Sequence, residues 1–132
     1  MRFLSIAVAI ACMILSGCLR LEDTIQEHKA VTSPDGSLVA RALFLDAGAV
    51  SSHDQLVLLT DPGFVYEKDM EIHPYKIASM TRVADSNLDL VWTGPKALTI
   101  RFTQYGDGGW VDYRSSHRGV EITVEHLRPE KK

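Results

Sequence analysis

The residue whose sequence context most clearly predicts a chemical reaction is Cys18, one of two cysteines in the chain. It follows a basic residue, Arg2, then a largely apolar stretch over residues 3–15, and then two small residues. A positive start, an apolar stretch of about 7 to 15 residues and small residues before the cleavage point are the features of a secretory signal peptide. The order predicts export, removal of residues 1–17 and a mature chain that begins at Cys18.

The tetrapeptide Leu15-Ser16-Gly17-Cys18 resembles the lipobox of bacterial lipoproteins, in which Leu, then Ser or Ala, then Gly or Ala precede the Cys. The resemblance covers residues 1–18. It implies that the Cys18 thiol receives a diacylglyceryl group and that the amine exposed by cleavage is acylated by a fatty acid such as palmitate. Because each buried methylene contributes about 0.8 kcal/mol, two or three acyl chains would hold the protein on a membrane.

The residue after the lipobox is Leu19 rather than Asp. In enteric-type bacteria the resemblance then implies sorting to the outer membrane, so that the protein faces the periplasm if its host is Gram-negative. The alternative is an uncleaved transmembrane helix that ends near Cys18. A spanning helix needs about 20 apolar residues, whereas residues 3–15 supply only 13 positions. The length favours the signal peptide.

Composition bounds what the exported part can be. Removal of residues 1–17 leaves 115 of the 132 residues, which is the usual size of one domain. The net charge changes from −3 to −4, and no basic cluster is present. Nucleic acid is therefore not expected as a partner, because its phosphates require a basic patch. With Cys12 removed and Cys18 acylated, no thiol remains for a disulfide, a zinc site or a Cys nucleophile.

Five histidines are the remaining candidates for catalysis or metal binding. None lies in an HExxH motif or at another paired metal spacing. His53, His73 and His117 each adjoin a predicted turn, so a hydrolase site that combines them with Asp residues stays open as an alternative. Isolated surface histidines fit the sequence better. We therefore assign no catalytic residue, no metal ligand and no cofactor.

Two further motifs do not meet the requirements of a site. Residues 85–89 begin like a calcium loop, D-x-N-x-D, but an EF-hand requires Gly at position six and Glu at position twelve. This chain has Leu90 and Lys96 there, so we expect a turn before a strand. No GxSxG or SxxK motif is present. Ser116 and His117 are adjacent, and neighbouring residues of a strand point to opposite faces.

The glycine-rich turn Tyr105-Gly106-Asp107-Gly108-Gly109-Trp110 is the strongest candidate for binding. Together with Tyr113, its two aromatic residues would offer flat rings with polar tips, which suit a sugar, a peptide or a protein partner. The alternative is a loose hairpin whose Trp110 folds back onto the sheet, because hairpins commonly need such glycines. The predicted binding surface is Tyr105, Trp110 and Tyr113.

Short strands are predicted to position these residues. Ser33-Pro34-Asp35-Gly36 is a turn signal, because Pro presets its backbone angle, Asp bonds to nearby backbone and Gly accepts positive φ. It should join residues 29–32 and 37–45 in a hairpin. The second arm is apolar on both faces, which predicts a central strand that is covered on both sides.

A strand preceded by SPDG also resembles the start of a blade in TolB-like propellers and a motif of small uncharacterised bacterial lipoproteins. A propeller needs about four blades or more, for which 115 residues are too few. At most, the resemblance implies one hairpin of the blade type.

Other strands are predicted from apolar alternation at residues 55–60, 75–83, 88–92, 97–104 and 120–125. The clearest alternation places Leu98, Ile100 and Phe102 on one face and polar residues on the other. Residues 110–115 should return antiparallel after the glycine-rich turn. Residues 64–74 have no clear assignment, and Pro74 argues against a central strand there.

The whole pattern predicts an all-β domain: an antiparallel sandwich or half-open barrel of about seven or eight short strands after an N-terminal signal helix. A capping box at Thr24 and Glu27 allows at most one or two helical turns before the domain. The expected divisions are a signal peptide over residues 1–17, a lipidated Cys and tether over residues 18–30, a β domain over residues 31–128 and a charged tail over residues 129–132.

Together these features favour a membrane-anchored cell-envelope lipoprotein that binds an envelope protein or acts as a scaffold, without catalysis. Two alternatives remain from the sequence. One is an envelope hydrolase with a dispersed His and Asp site, and the other is a glycan-binding module that uses the Trp110 turn.

Overall fold

The computed structural model describes residues 24–46 and 54–127, so Cys18, the predicted signal peptide and the charged tail lie outside the description. The described residues form nine strands and one 3₁₀ turn at Asp85–Asn87. The strands are β1 (Thr24–Thr32), β2 (Val39–Asp46), β3 (Asp54–Thr60), β4 (Lys76–Met80), β5 (Leu88–Gly94), β6 (Ala97–Phe102), β7 (Val111–Tyr113), β8 (Ser116–His117) and β9 (Val120–His126). The all-β prediction is confirmed, and the calcium-like segment is a turn before β5.

The strands pair into two sheets that share one hydrophobic core. The larger sheet has the order β1-β2-β3-β4-β7, and the smaller sheet has the order β5-β6-β9-β8. The core draws buried residues from both sheets, among them Ala40, Val57 and Met80 from the larger and Leu90, Ile100 and Ile122 from the smaller. This arrangement is a sandwich, one of the two predicted architectures.

Every strand pair of the larger sheet is antiparallel, but β6 and β9 of the smaller sheet are parallel. The antiparallel strand predicted within residues 110–115 forms as β7, but its partner is β4 and not the preceding strand β6. After β6 the chain crosses to the larger sheet, where β7 pairs with β4, and it then re-enters the smaller sheet as β8 beside β9. Because β7 belongs to the larger sheet, the strand that pairs with β6 on the side away from β5 is β9.

The SPDG turn forms as predicted. The Ser33 amide donates to the Leu38 carbonyl at 2.8 Å, the Gly36 amide donates to the Ser33 carbonyl at 2.9 Å, and Gly36 has a φ of +75°. The Asp35 carboxylate accepts hydrogen bonds from the hydroxyls of Ser33 and Ser37 at 2.7 and 2.8 Å. These bonds lower the pKa of Asp35 to about 2.

The strand before this turn is longer than predicted. Residues 24–30, assigned to a tether with a short helix, belong to β1 and pair with β2 from Thr24 opposite Asp46 to Thr32 opposite Val39. A register irregularity between Glu27 and Lys29 accommodates the extra residue in β1. A local capping box satisfies only two amides, whereas the ladder along β2 bonds the whole segment, and this explains why the strand prevails.

Alternation decides which side chains enter the core, as the sequence predicted. Leu98, Ile100 and Phe102 are buried on β6, and Arg101 between them is exposed. Strand β2 lies between β1 and β3 and is buried on both faces, with Ala40 and Ala42 in the core cluster and Val39, Arg41 and Leu43 buried on the opposite face. Its predicted central position is therefore confirmed.

The outer face of the larger sheet contains a buried cation. Arg41 is 8% exposed, and its Nε donates to the Thr60 hydroxyl at 2.8 Å. The two Nη atoms bond to the Glu27 carboxylate at 3.0 Å and to the Pro62 carbonyl at 3.2 Å, and the guanidinium lies 5.6 Å from the centre of the Phe64 ring. Arg41 thus links β1, β2 and β3 to the strand-free segment that leads to β4.

Candidate functional site

The glycine-rich turn after β6 is a crossing between the sheets, held at the end of the larger sheet. The Tyr105 amide donates to the Arg82 carbonyl at 2.9 Å, and Nη1 of Arg82 donates to the Asp107 carbonyl. Gly106 and Gly108 have φ values of +67° and +83°, which side chains rarely allow. The backbone path itself therefore requires these two glycines.

A second set of bonds closes the base of this turn around Gln104. Its Nε2 donates to the carbonyls of Thr81 and Trp110 at 2.9 and 3.3 Å, and the Trp110 amide donates to the Thr81 hydroxyl at 3.0 Å. A Cβ at Gly109 would lie only 2.7 Å from Nε2 of Gln104. The absence of a side chain at Gly109 leaves room for the Gln104 amide, which fixes both ends of the turn.

A groove of about 630 Å³ opens beside the turn. We call it the Tyr105 groove, and its lining is Asn87, Thr103, Gln104, Tyr105, residues 106–109 and His126. The His126 ring stacks on Phe102, with ring centres 4.8 Å apart and an interplanar angle of 14°. Ligand sites in proteins commonly enclose about 300–1,000 Å³. Aromatic rings beside amide and hydroxyl groups suit a polar ligand with flat apolar faces, such as a sugar ring.

The three predicted aromatic residues do not form a single surface. All are exposed, Tyr105 by 43%, Trp110 by 54% and Tyr113 by 49%, so Trp110 is not folded onto the sheet. Tyr105 lines the groove, Tyr113 lines a different depression, and Trp110 lines neither. Trp110 lies immediately before Val111, the first residue of β7. The sequence identified the turn but not the division of its aromatic side chains.

The other groove residues were missed by sequence reasoning. Asn87 ends the 3₁₀ turn before β5, Thr103 follows β6 and His126 ends β9. The Thr103 amide donates to the Asn87 carbonyl at 3.0 Å, which holds two of these segments together. No local motif marks any of the three, because they meet only through the pairing of β5, β6 and β9.

A smaller depression of about 90 Å³ lies between β4 and β7, and we call it the β4–β7 pocket. His73, Lys76, Asp112, Tyr113 and Arg114 contribute to its lining. Of the three histidines considered for a hydrolase site, His73 therefore shares a pocket with a carboxylate. His117 lies next to this pocket, whereas His53 lies outside the described residues.

His117 is in a positively charged environment. Its Nδ1 lies 3.4 Å from Nη1 of Arg114, and its ring is hydrogen-bonded to the backbone of Pro74. Partial burial, followed by the charges of Arg114 and Arg118, lowers the pKa of His117. Within the described residues, no three His, Asp or Glu side chains are grouped closely enough to hold a metal ion. The region around His117 and the β4–β7 pocket is therefore lined by several cationic side chains.

His28, assigned to the tether by sequence, is part of a polar network around the buried side chain of Gln55. Its Nε2 lies 2.7 Å from Oε1 of the fully buried Gln55. The Gln55 amide donates to the Val83 carbonyl at 3.1 Å and to the Asp85 carboxylate at 2.7 Å. These bonds satisfy Gln55 and connect β1, β3 and the 3₁₀ turn, which gives His28 a structural role.

No protein family, curated protein or solved structure matched this chain in comparisons with known proteins. In residues 24–46 and 54–127 there is no helix with the length and apolar character needed to cross a membrane.

Proposed function

We propose that this protein is a lipid-anchored binding module of the bacterial cell envelope, and that its Tyr105 groove takes a glycan. The anchor part rests on the lipobox at residues 15–18 and the signal-like segment before it. The binding part rests on one observation: a groove with the volume of a ligand site lies beside a turn that Arg82 and Gln104 hold in place. Because this turn is already fixed before a ligand binds, it loses little conformational entropy on binding, which favours affinity.

The groove supplies the groups that a sugar needs. Tyr105 offers a ring for stacking on the apolar face of a pyranose, and the stacked His126 forms a second aromatic contact. Asn87 and Thr103 bring an amide and a hydroxyl to the same groove, which match the hydroxyls of a sugar. A lipid anchor would keep the domain next to the glycans of the envelope.

The binding proposal is tested by co-sedimentation of the purified protein with isolated peptidoglycan. Tyr105→Ala should weaken binding about tenfold or more, because an aromatic anchor contributes much of the energy of such a site. Tyr113→Ala is the matched control, because Tyr113 is exposed to a similar degree but lines the other pocket. Equal binding by wild type and Tyr105→Ala, with folding unchanged, would refute the groove as the glycan site.

The anchor proposal has a separate test in metabolic labelling with an alkyne fatty acid. Cys18→Ser should abolish the label and leave an unprocessed precursor. Cys12→Ser is the control, because Cys12 lies within the apolar stretch and should leave labelling intact. Persistent label on the Cys18→Ser protein would overturn the anchor.

A further inference from the structure

The β4–β7 pocket carries a second inference, which is independent of the glycan proposal. Lys76 begins β4 and Arg114 directly follows β7, so antiparallel pairing of these strands brings two cations to one small space. The Arg114 amide donates to the Ile77 carbonyl at 2.8 Å, which fixes the backbone at this position. His73 lines the same pocket.

These two cations differ from most other cations of the described chain in lacking an acidic partner. Lys29, Arg41, Arg101 and Arg118 each lie within 4.0 Å of a carboxylate oxygen. Asp112 also lines the pocket, yet among the described residues neither Lys76 nor Arg114 forms an ion pair with it or with another acid. In a chain with a net charge of −3, such a local excess of positive charge attracts an anion.

We propose that the β4–β7 pocket binds a phosphate-type oxyanion, held by Lys76 and Arg114. A volume of about 90 Å³ is well below that of sites for drug-sized ligands and suits one compact group. Arginine offers paired N–H donors and lysine a point charge, and both are common ligands of phosphate oxygens. The tyrosine hydroxyl of Tyr113 adds a neutral donor to the same lining.

His117 supplies a readout that a purely structural arrangement would not provide. The groups that face its ring are Arg114, Arg118 and the Pro74 backbone, and Arg118 is also paired with Asp61 at 2.9 Å. Partial burial lowers the pKa of His117 most, and the charges of the two arginines lower it further. An anion bound at Arg114 offsets this positive field, so the His117 pKa should rise when the pocket is occupied.

The test is an NMR titration of the protein with sodium phosphate, with sodium chloride at equal ionic strength as the reference. Saturable shifts at Lys76 and Arg114 and a rise in the His117 pKa are expected with phosphate alone. Lys76→Gln and Arg114→Gln should each raise the Kd about tenfold or more, because each removes a charge-assisted hydrogen bond. Arg101→Gln removes the same charge from an exposed position on β6 and should leave the Kd unchanged.

A phosphate group can come from a lipid headgroup or from a soluble compound, and a competition arm distinguishes these sources. If short-chain phosphatidylglycerol displaces inorganic phosphate from the same residues, the pocket accepts a headgroup diester. If it does not, the site accepts only a free phosphate or a phosphate monoester. Identical shifts with chloride and phosphate, or equal affinity in Arg114→Gln and Arg101→Gln, would overturn the anion site.

Discussion

The indole Nε1 of Trp92 donates a hydrogen bond of 2.8 Å to the carbonyl oxygen of Val31. Trp92 lies on β5, an edge strand of the smaller sheet, and Val31 lies on β1, an edge strand of the larger sheet. Nearby, Nζ of Lys29 bonds to the Leu88 carbonyl at 2.5 Å. Within residues 24–46 and 54–127 no strand pairs β1 with β5, so these side chains join the two sheets along that edge. They bond to backbone groups of edge strands, which are otherwise open to pairing with another chain.

Trp92→Phe should lower the free energy of unfolding by about 1 kcal/mol, because it removes this hydrogen bond while it keeps most of the aromatic surface. The measurement is urea denaturation followed by circular dichroism. Trp110→Phe is the control, since Trp110 is exposed and bonds through its backbone. An equal effect of the two substitutions would show that the Trp92 bond adds nothing to stability.

Arg41→Lys should destabilise the protein by about 2 kcal/mol, because lysine cannot reproduce three donor groups aimed at Thr60, Glu27 and Pro62. Arg101→Lys provides the comparison. Its ion pair with Glu125 is exposed, and such pairs contribute at most about 1 kcal/mol. The prediction requires a clearly larger fall in thermal stability for Arg41→Lys than for Arg101→Lys.

The SPDG turn should make stability depend on acid pH. Hydrogen bonds from Ser33 and then Ser37 lower the pKa of Asp35 from 3.8 to about 2. Because the pKa is lower in the folded state, the carboxylate stabilises the fold above pH 3.8, and this contribution is lost as the pH falls towards 2. Asp35→Asn should lower the Tm by a few degrees near neutral pH, and its deficit should shrink at pH 2. A deficit that does not change with pH would contradict this role of the charge.

Gly109→Ala tests whether the rigid turn shapes the groove. The added methyl group would lie 2.7 Å from Nε2 of Gln104, and the displaced amide would lose its bonds to Thr81 and Trp110. Peptidoglycan binding should fall several-fold, with a cost of about 1 kcal/mol in stability for each lost bond. Gly63→Ala is the matched control, because its Cβ would meet no atom within 4 Å. Unchanged binding in Gly109→Ala would show that Gln104 does not shape the site.

Features that depend on neighbouring residues were predicted well. The SPDG turn follows from backbone preferences, and the burial of Leu98, Ile100 and Phe102 follows from a period of two. The central position of β2 follows from apolar residues on both of its faces. The start of β1 at Thr24 was not predicted, because a polar stretch shows no apolar alternation. Its strand conformation depends on pairing with β2 and on His28 reaching Gln55.

The candidate sites also differ in whether local sequence or long-range strand pairing determines them. Residue types alone identified the aromatic turn and predicted a lipobox, since both are contiguous motifs. Three other features depend on strands that are far apart in the chain. They are the sheet that β7 joins, the separation of Tyr105 from Tyr113, and the shared pocket of Lys76 and Arg114. A local pattern states which face of a strand is buried, but it does not state which strand lies beside it, because that choice is made by packing over the whole core.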